Sequence, residues 1–488
     1  MNNTSSKKVS NRETLVSRYE RARMDKDEAY DNVFFFGVKT TGIFCKPSCP
    51  SPIAKSENVL YFESVEDALE YGLRPCKRCH PMNLSKLDYK EQIIKDALKT
   101  LYDIEVELLS VNVISQKIFT SERNLRDAFH HVFDMTPLQL IIRRKLEIAW
   151  QLLISTDKNI TEIALDSGFQ SVRQFNDQFK NHLKVSPQSL RLNPDKIYFE
   201  PISYEIPCPE NFQFDALMAF VSMRLIKGVE AYEQGKYLRT FDLESGSGYI
   251  ELLYSEADQS IKVAQYSNNL KSLLDVHLRI KNMFDLNSPI KEISHYLSRF
   301  EILKKGFMND QVPRISMAFD SKEFLVRAIL GQQISVKAAT TLAGRIVMTC
   351  NRQTPTYFPK ELQYFFPNYD QMLNSDLNGV GITAKRLETL LRTLKAYQNG
   401  QFHLEAYQTL ENLKNTFGTI KGIGDWTVNY LAMRGIGIKD SFPAMDLGVI
   451  RVLEKYVPVK EIEDFAEPWR PYRAYATHCL WAQYNKGE

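Results

Sequence analysis

From about Lys86 to Leu192, apolar residues recur at three- and four-residue spacings, as in Ile142, Leu146, Ala149 and Leu153. That period predicts amphipathic helices. Within it, Ile160-Thr161-Glu162-Ile163-Ala164 leads through Ser167-Gly168-Phe169 to Ser171, then to Phe175, Phe179 and Ser186-Pro187. Glycine supplies a turn between two short helices and Ser171 caps the second, whose Phe175 and Phe179 share one buried face. The pattern changes past Pro194: an extended stretch at 197–209 and segments at 249–254 and 260–264 predict strands, so this region mixes α and β. Helical texture returns from about Phe307, broken by Gly- and Pro-bearing turns. Before Asn83 the chain is rich in cysteine and aromatic residues, with little helical period until 65–71.

A chain of 488 residues exceeds one core and predicts roughly three or four domains. With 44% apolar and 25% charged residues, most of it should fold. The formal net charge of +3 does not mark a nucleic-acid binder, so any such reading must rest on local motifs. The polar opening with Lys7 and Lys8 lacks the apolar segment of a secretory signal, and no apolar run reaches the ~18 residues of a membrane span. A soluble, cytoplasmic protein is expected. Of seven cysteines, four lie within 45–79; Cys208, Cys350 and Cys479 read as small buried hydrophobes.

Cys45 and Cys49 enclose Lys46-Pro47-Ser48, and Cys76 and Cys79 enclose Lys77-Arg78. Two such pairs about thirty residues apart suit a tetrahedral Zn²⁺, each giving two thiolates from one turn. Four unrelated core thiols, or a purely structural zinc, are the plainer readings. The run Phe34-Phe35-Phe36-Gly37-Val38-Lys39-Thr40-Thr41-Gly42-Ile43-Phe44-Cys45-Lys46-Pro47-Ser48-Cys49, with Gly72-Leu73-Arg74-Pro75-Cys76-Lys77-Arg78-Cys79, resembles the N-terminal domain of the Ada family of methyl-accepting DNA repair proteins. The resemblance implies one zinc held by Cys45, Cys49, Cys76 and Cys79, with Cys45 as methyl acceptor. A zinc-held thiolate stays nucleophilic at neutral pH. Methylating one thiolate removes a negative charge, so affinity for DNA should rise, most visibly at low salt. Lys46, Arg74, Lys77 and Arg78 are candidate phosphate contacts or ordinary solvated charges.

The segment from Ile160 to Pro187 resembles the second helix-turn-helix of AraC-type regulators, with Arg173, Gln174, Asn176 and Gln178 turned toward a major groove. A weaker first copy spans 113–129, with Phe119 at the turn position usually held by glycine. Glu122, Arg123, Asn124 and Arg126 are its candidate readers. A plain helical connector is the alternative.

Ile420-Lys421-Gly422-Ile423-Gly424-Asp425-Trp426-Thr427 lies between helical stretches. Two glycines one residue apart form a tight hairpin whose amides can hold a DNA phosphate. Further on, Phe442-Pro443-Ala444-Met445-Asp446 precedes a helical pattern through Val449 and Ile450. Together these resemble helix-hairpin-helix base-excision glycosylases. Leu330-Gly331-Gln332-Gln333-Ile334-Ser335-Val336 and Trp469-Arg470-Pro471-Tyr472-Arg473-Ala474-Tyr475 extend the likeness to AlkA-type 3-methyladenine glycosylases, over roughly residues 200–485. The resemblance implies Asp446 as the carboxylate that stabilises an oxocarbenium-like sugar and directs water. A helix-capping aspartate is the plain alternative, and Asp440, ahead of the Pro-bearing loop, a weaker rival. Lyase-type relatives carry a lysine two residues after the second glycine. Trp426 stands there, which implies a monofunctional enzyme. The cysteine set of the family's iron–sulfur cluster is missing, so no such cluster is expected. Trp426, Tyr430, Trp481 and Phe220 match base-pocket aromatics suited to cationic N-alkylpurines. Gln333 and Ile334 are candidates to fill the stack behind a flipped nucleotide.

The expected architecture is multidomain, mainly α with α+β parts. It comprises a disordered tail (1–12), a zinc domain (13–83), a helix-turn-helix pair (86–193), a mixed α/β domain (197–306) and an all-α helix-hairpin-helix domain (307–488). The implied activities are single-turnover transfer of methyl from DNA methylphosphotriesters to Cys45, and hydrolytic release of alkylated bases such as 3-methyladenine. The implied partners are double-stranded DNA, both promoter and alkylated, and RNA polymerase. The protein would be a monomer that does not engage membranes. Two alternatives stand beside this: a damage-sensing activator with an inert glycosylase half, and a zinc-stabilised DNA-binding protein without methyl transfer. The complete segments around Asp446 and Cys45 argue against both. No Pro-Cys-His-Arg segment occurs, so O6-alkylguanine transfer is not predicted.

Overall fold

The computed structural model describes residues 17, 19–27, 30, 31, 34–62, 67, 68, 71–76, 78, 79, 81, 89–183, 185–192, 200–404 and 409–486. The tail expected at 1–12, Lys77 and most of the helix expected at 65–71 lie outside the described residues. The chain divides into two compact units, 1–89 and 90–488.

The first unit carries a four-stranded sheet in the order β3-β1-β2-β4, formed by β1 (Phe35–Val38), β2 (Ile43–Cys45), β3 (Val59–Phe62) and β4 (Arg74–Pro75). β1 pairs antiparallel with β2 and β3, while β4 runs parallel to β2 with Phe44 opposite Pro75. This parallel pairing carries the chain past Pro75 so that the Cys76 N–H donates to the Phe44 carbonyl at 2.9 Å, beside Cys45. Residues 17 and 19–24 are helical, which the apolar period did not reveal. They stack Tyr19 on Phe34, centroids 4.1 Å apart, and bury Arg23, which donates to Glu20 at 2.6 Å and to the Ala54 carbonyl at 2.9 Å.

The second unit carries α1 (Tyr89–Asp103) from its second residue onward, then α2 (Val111–Lys117), α3 (Glu122–Phe133), α4 (Pro137–Ser155), α5 (Ile160–Asp166) and α6 (Val172–Leu183). α4 starts at a reciprocal cap between Thr136 and Gln139, with Pro137 in its first turn. Leu146, Ala149 and Leu153 of the apolar period are buried, and join Phe169, Phe175 and Phe179 in the core of the second helix-turn-helix. Its turn requires Gly168: φ is +76°, and a Cβ there would lie 2.7 Å from the Val106 carbonyl oxygen. Ser171 caps α6 by accepting from the Gln174 N–H at 3.2 Å. At the equivalent turn of the first copy, Phe119 adopts φ +57° and is 92% exposed.

A five-stranded antiparallel sheet follows in the order β5-β9-β8-β7-β6, from β5 (Ile202–Pro207), β6 (Glu230–Glu233), β7 (Lys236–Leu243), β8 (Gly246–Ser255) and β9 (Ser260–Ser267). The expected strands coincide with β5, β8 and β9; β6 and β7 are additional. The alternation of β7 is concealed because Arg239 occupies a buried position between Tyr237 and Phe241. That guanidinium is paired with Glu230 at 3.0 Å and with Glu323, tying sheet to helices.

Helix-turn-helix and sheet share one apolar core. Phe133, at the end of α3, meets Tyr204 of β5 at 5.1 Å and His277 at 5.4 Å, the latter carried by α8 (Ser272–Met283), which follows α7 (Phe214–Ser222). Glu91 of α1 pairs with Lys281 at 2.6 Å. The Tyr102 hydroxyl accepts from the Leu270 N–H at 2.9 Å and donates to Glu147 at 3.0 Å.

The remaining chain is helical, including α9 (Ser321–Leu330), α10 (Val336–Cys350), α11 (Ala384–Gln398), α12 (Asp425–Leu431), α13 (Leu447–Leu453) and α14 (Arg473–Lys486). Of the three scattered cysteines only Cys479 is fully buried; Cys208 and Cys350 are half-buried, because each lies at the margin of its core cluster. Among the described residues no helix is long and apolar enough to cross a membrane.

Candidate metal centre and active site

Strand β2 ends at Cys45, a turn closed by Cys49 N–H to the Lys46 carbonyl (3.1 Å) returns Cys49, and β4 delivers Cys76 alongside. The Sγ atoms of Cys45, Cys49, Cys76 and Cys79 all lie within 4.8 Å of one another, with Cys49 and Cys76 at 4.0 Å. A tetrahedron of ~2.3 Å zinc–sulfur bonds spaces its sulfurs about 3.8 Å apart, so these four residues fit one Zn²⁺. Left to themselves, four such thiols cannot all ionise. Hydrogen bonding with Cys49, Cys76 and Cys79 pushes Cys45 far above the usual thiol range, while the bond from Cys45 draws Cys49 down to about 6. A dication among them removes the conflict.

The backbone N–H of Lys46 points at Cys79 Sγ and that of Arg78 at Cys76 Sγ, both at 3.4 Å. Asp31, which cysteine spacing could not reveal, accepts from the Ser48 N–H at 3.1 Å and the Ser48 hydroxyl at 2.6 Å, fixing the Lys46–Cys49 turn. Cys45 is 5% exposed, whereas Cys79 is half-buried. Arg74 and Arg78 are exposed, Lys46 is half-buried, and Lys77 lies outside the described residues.

On α6, Arg173, Gln174 and Asn176 are exposed and Gln178 half-buried, opposite the fully buried Phe175 and Phe179. On α3, Arg123, Asn124 and Arg126 are exposed, but Arg126 pairs with Glu122 and Arg123 with Asp127 on their own helix. Exposed pairs of this kind are worth about 0–1 kcal/mol, so a phosphate displaces them readily.

The hairpin between the short helix Leu410–Asn415 and α12 requires Gly422, whose φ is +97° and whose Cβ would lie 2.2 Å from Thr389 Oγ1 of α11. Gly424 caps α12, and a Cβ there would meet nothing within 4 Å, which leaves its face open. Gln332 Nε2 donates to the Gly422 carbonyl at 3.1 Å and to Thr427 Oγ1 at 3.0 Å, lashing the loop before α10 to the hairpin. Next to it Gln333 projects outward at φ +56°, and Ile334 enters the cavity wall. The local motif marks Gln333, whereas the tether through Gln332 depends on a partner ninety residues away.

Asp446 is both a helix cap and a cavity residue. Its Oδ1 accepts from the Gly448 N–H at 2.9 Å, the Val449 N–H at 3.4 Å and Trp481 Nε1 at 2.7 Å; its Oδ2 accepts from Trp426 Nε1 at 3.0 Å. Gly448 must be small, since a Cβ would lie 2.9 Å from the Trp481 ring. The cavity, about 270 Å³, is lined by Phe220, Ile334, Trp426, Tyr430, Asp446 and Trp481, among others. Trp426 stacks on Tyr430 at 4.9 Å, and Phe220 lies within 17° of parallel to Trp481 at 6.4 Å. That spacing is close to two stacking rises of about 3.4 Å. Asp440 does not line the cavity; Arg470 and Arg473 clamp it, Arg473 Nε at 2.9 Å.

Three arginines unforeseen from sequence, Arg224, Arg327 and Arg434, also line this cavity. Arg434 donates to the Tyr430 hydroxyl at 2.8 Å. Burial alone would raise that phenol, but Arg434 and Arg224 hold it below its ordinary range. A larger cavity of about 600 Å³ between β7 and α9 contains neither the hairpin nor Asp446, and its Arg279 is spent on Asp275 at 2.7 Å and Asp320 at 2.8 Å.

The metal binding domain of Ada matches residues 18–82, a helix-turn-helix domain matches 114–193, and the AlkA N-terminal domain matches 204–320. The chain is 27% identical over 476 residues to a probable bifunctional transcriptional activator/DNA repair enzyme AlkA of Mycobacterium tuberculosis, covering 95% of each chain. It is 25% identical over 279 residues to DNA-3-methyladenine glycosylase 2 of Escherichia coli, covering 57% of this chain and 95% of that one. It is 33% identical over 180 residues to the bifunctional transcriptional activator/DNA repair enzyme AdaA of Bacillus subtilis, covering 37% of this chain and 84% of that one. The chain therefore belongs to the Ada family of bifunctional transcriptional activators and DNA repair enzymes, with AlkA-type glycosylase architecture joined behind the regulator.

Proposed function

We propose that this protein repairs alkylated double-stranded DNA at two centres and reports the damage to transcription. The observation that carries the glycosylase half is Asp446, whose two oxygens are aimed by two indole N–H groups at the edge of an aromatic slot. With an alkylated base such as 3-methyladenine in the slot, the bond between sugar C1′ and base nitrogen breaks. Its electron pair leaves with the base and discharges the base's positive charge. Asp446 stabilises the oxocarbenium-like sugar and receives a proton from the water whose oxygen bonds to C1′. The product is an abasic site; with Trp426 in place of a lysine, no Schiff base forms. Amides around Gly422 and Gly424 hold the backbone, and Gln333 and Ile334 enter the vacated stack.

At the other centre, bound zinc supplies a deprotonated, nucleophilic sulfur. Cys45 Sγ forms a bond to the methyl carbon of a methylphosphotriester, the carbon–oxygen bond breaks, and its electrons restore the phosphate anion. Cys49, Cys76 and Cys79 complete the ligand set, while Lys46, Arg74 and Arg78 contact the DNA backbone. Losing one thiolate charge strengthens DNA binding. Arg173, Gln174 and Asn176, with Arg123 and Arg126, then engage a promoter, and RNA polymerase is recruited to a monomer.

Purified protein should release 3-methyladenine from methylated DNA and Asp446→Asn should not. Release by the variant at the wild-type rate removes Asp446 from the mechanism. Mass spectrometry after exposure to methylated DNA should place a methyl group on Cys45, and none after zinc is removed with a chelator. An adduct confined to Cys79, the more exposed sulfur, would reassign the acceptor.

A further inference from the structure

The slot contains two guanidiniums that the glycosylase chemistry does not use. Arg224, just past α7, lies with Cζ 3.5 Å from the Phe220 ring centroid, and its Nη1 donates to the Phe220 carbonyl at 2.8 Å. Arg434 lies 4.6 Å from the same centroid and donates to the Ser316 carbonyl and the Tyr430 hydroxyl, each at 2.8 Å. Among the described residues neither makes an ion pair. Arg327 on the same wall differs, being neutralised by Glu230 at 3.2 Å and Glu323 at 2.8 Å.

The neighbours register the surplus charge. His478, packed on Trp481 at 5.0 Å, is held neutral down to about 3 by burial and then by Arg434 and Arg224, and among the described residues its Nε2 has no hydrogen-bond partner. The slot is therefore not the plain aromatic box suited to any cationic base. Guanidinium carbons lie 3.5 and 4.6 Å from the Phe220 centroid, which weakens that ring's cation–π attraction for a second cation. A buried charge without a counter-charge is costly to fold and points to a ligand that compensates it.

Guanidinium N–H groups match purine N7 and, on guanine, O6, the acceptors arginine reads in duplex DNA. Alkylation at N3 leaves N7 free and places the positive charge toward the opposite edge. Alkylation at N7 consumes that lone pair and centres the charge in the five-membered ring. We propose that Arg224 and Arg434 make this slot select N3-alkylpurines over N7-alkylpurines, by donating to a free N7 edge and repelling a charged one. The proposal rests on the glycosylase reading above.

The test uses the full-length, zinc-loaded protein on DNA treated with a methylating agent, with 3-methyladenine and 7-methylguanine release each normalised to its content. The wild type should favour 3-methyladenine by about tenfold, the discrimination typical of one well-placed arginine contact. Arg224→Met should narrow that preference by gaining on 7-methylguanine, and Arg224→Lys, which keeps the charge, should go on rejecting it. Arg434→Met provides the same reading should Arg224→Met fail to fold. Equal release of both bases by the wild type, or an unchanged ratio in a folded Met variant, overturns the proposal. Release of neither base by the wild type refutes the glycosylase reading instead.

Discussion

Phe133 tests whether regulator and glycosylase behave as one body. Its ring is fully buried at the end of α3, edge-on to Tyr204 at 83° and to His277 at 75°, and 6.5 Å from Phe129 of its own helix. Phe133→Ala removes a ring shared by both modules from a closed core, a cut that costs about 3–5 kcal/mol. Edge-to-face pairing accounts for about 0.5–1.5 kcal/mol of such losses. The Glu91–Lys281 pair and the Tyr102–Leu270 hydrogen bond survive, so docking should weaken without being abolished. Urea unfolding followed by tryptophan fluorescence separates the parts: Trp150 reports the regulator, and Trp426, Trp469 and Trp481 report the glycosylase. Phe133→Ala should lower the glycosylase transition as well as the regulator's. Phe179→Ala, confined to the core around Leu146, Phe169 and Leu190, should lower only the signal of Trp150. A glycosylase transition unmoved by Phe133→Ala would refute the shared core.

Burial outweighs Tyr102, Arg144 and Arg143 to lift Glu147 to about 7, so the folded state keeps a proton that the unfolded chain loses near 4.3. Stability from this group is full below that lower value and lost as pH rises through 7, so Glu147→Gln should flatten the pH dependence there. The change is on the order of 3 kcal/mol, and an unaltered stability–pH curve in that window would exclude it. Gly422→Ala should destabilise by at least the ~1–2 kcal/mol of a left-handed residue and weaken binding to abasic DNA, with Thr389→Ala restoring only the steric share. Asp31→Ala frees the Ser48 turn and should weaken zinc binding about 10–100-fold in competition with a chromophoric chelator. Unchanged zinc affinity would confine Asp31 to folding.

What the sequence disclosed was whatever its own spacing encodes. Paired cysteines enclosing three and two residues, a Gly-Phe turn before a serine cap, and two glycines beside a helix start are local signals, and the structure places each where its spacing implies. Arg239 shows why β7 escaped notice: a charged residue in a core position breaks the apolar alternation, and its partners Glu230 and Glu323 are distant or masked by polarity. Asp31 meets Ser48, Gln332 meets Gly422 and Arg434 meets Ser316 only once the chain has folded. Phe133 reads as an ordinary helix residue until the sheet some seventy positions later supplies Tyr204. The helical residues 17 and 19–24 eluded the apolar period because Arg23, buried beside Ala22, is a cation satisfied by Glu20 and a backbone carbonyl.

Asp446 joins these levels. Capping α13 and serving the slot are usually competing explanations of an aspartate, yet one oxygen meets the helix N–H groups and Trp481 while the other meets Trp426. The indoles that form the walls also fix the carboxylate plane, so on the proposed reading one side chain, Trp481, positions both the base and the carboxylate that faces its sugar. Trp426 occupies the place where the resemblance sets a nucleophilic lysine in lyases, and here it donates a hydrogen bond instead. Replacing a nucleophile by an orienting donor leaves water as the attacking group. On the role proposed for Asp446, hydrolysis without strand cleavage then follows from the missing lysine and from how the carboxylate is held.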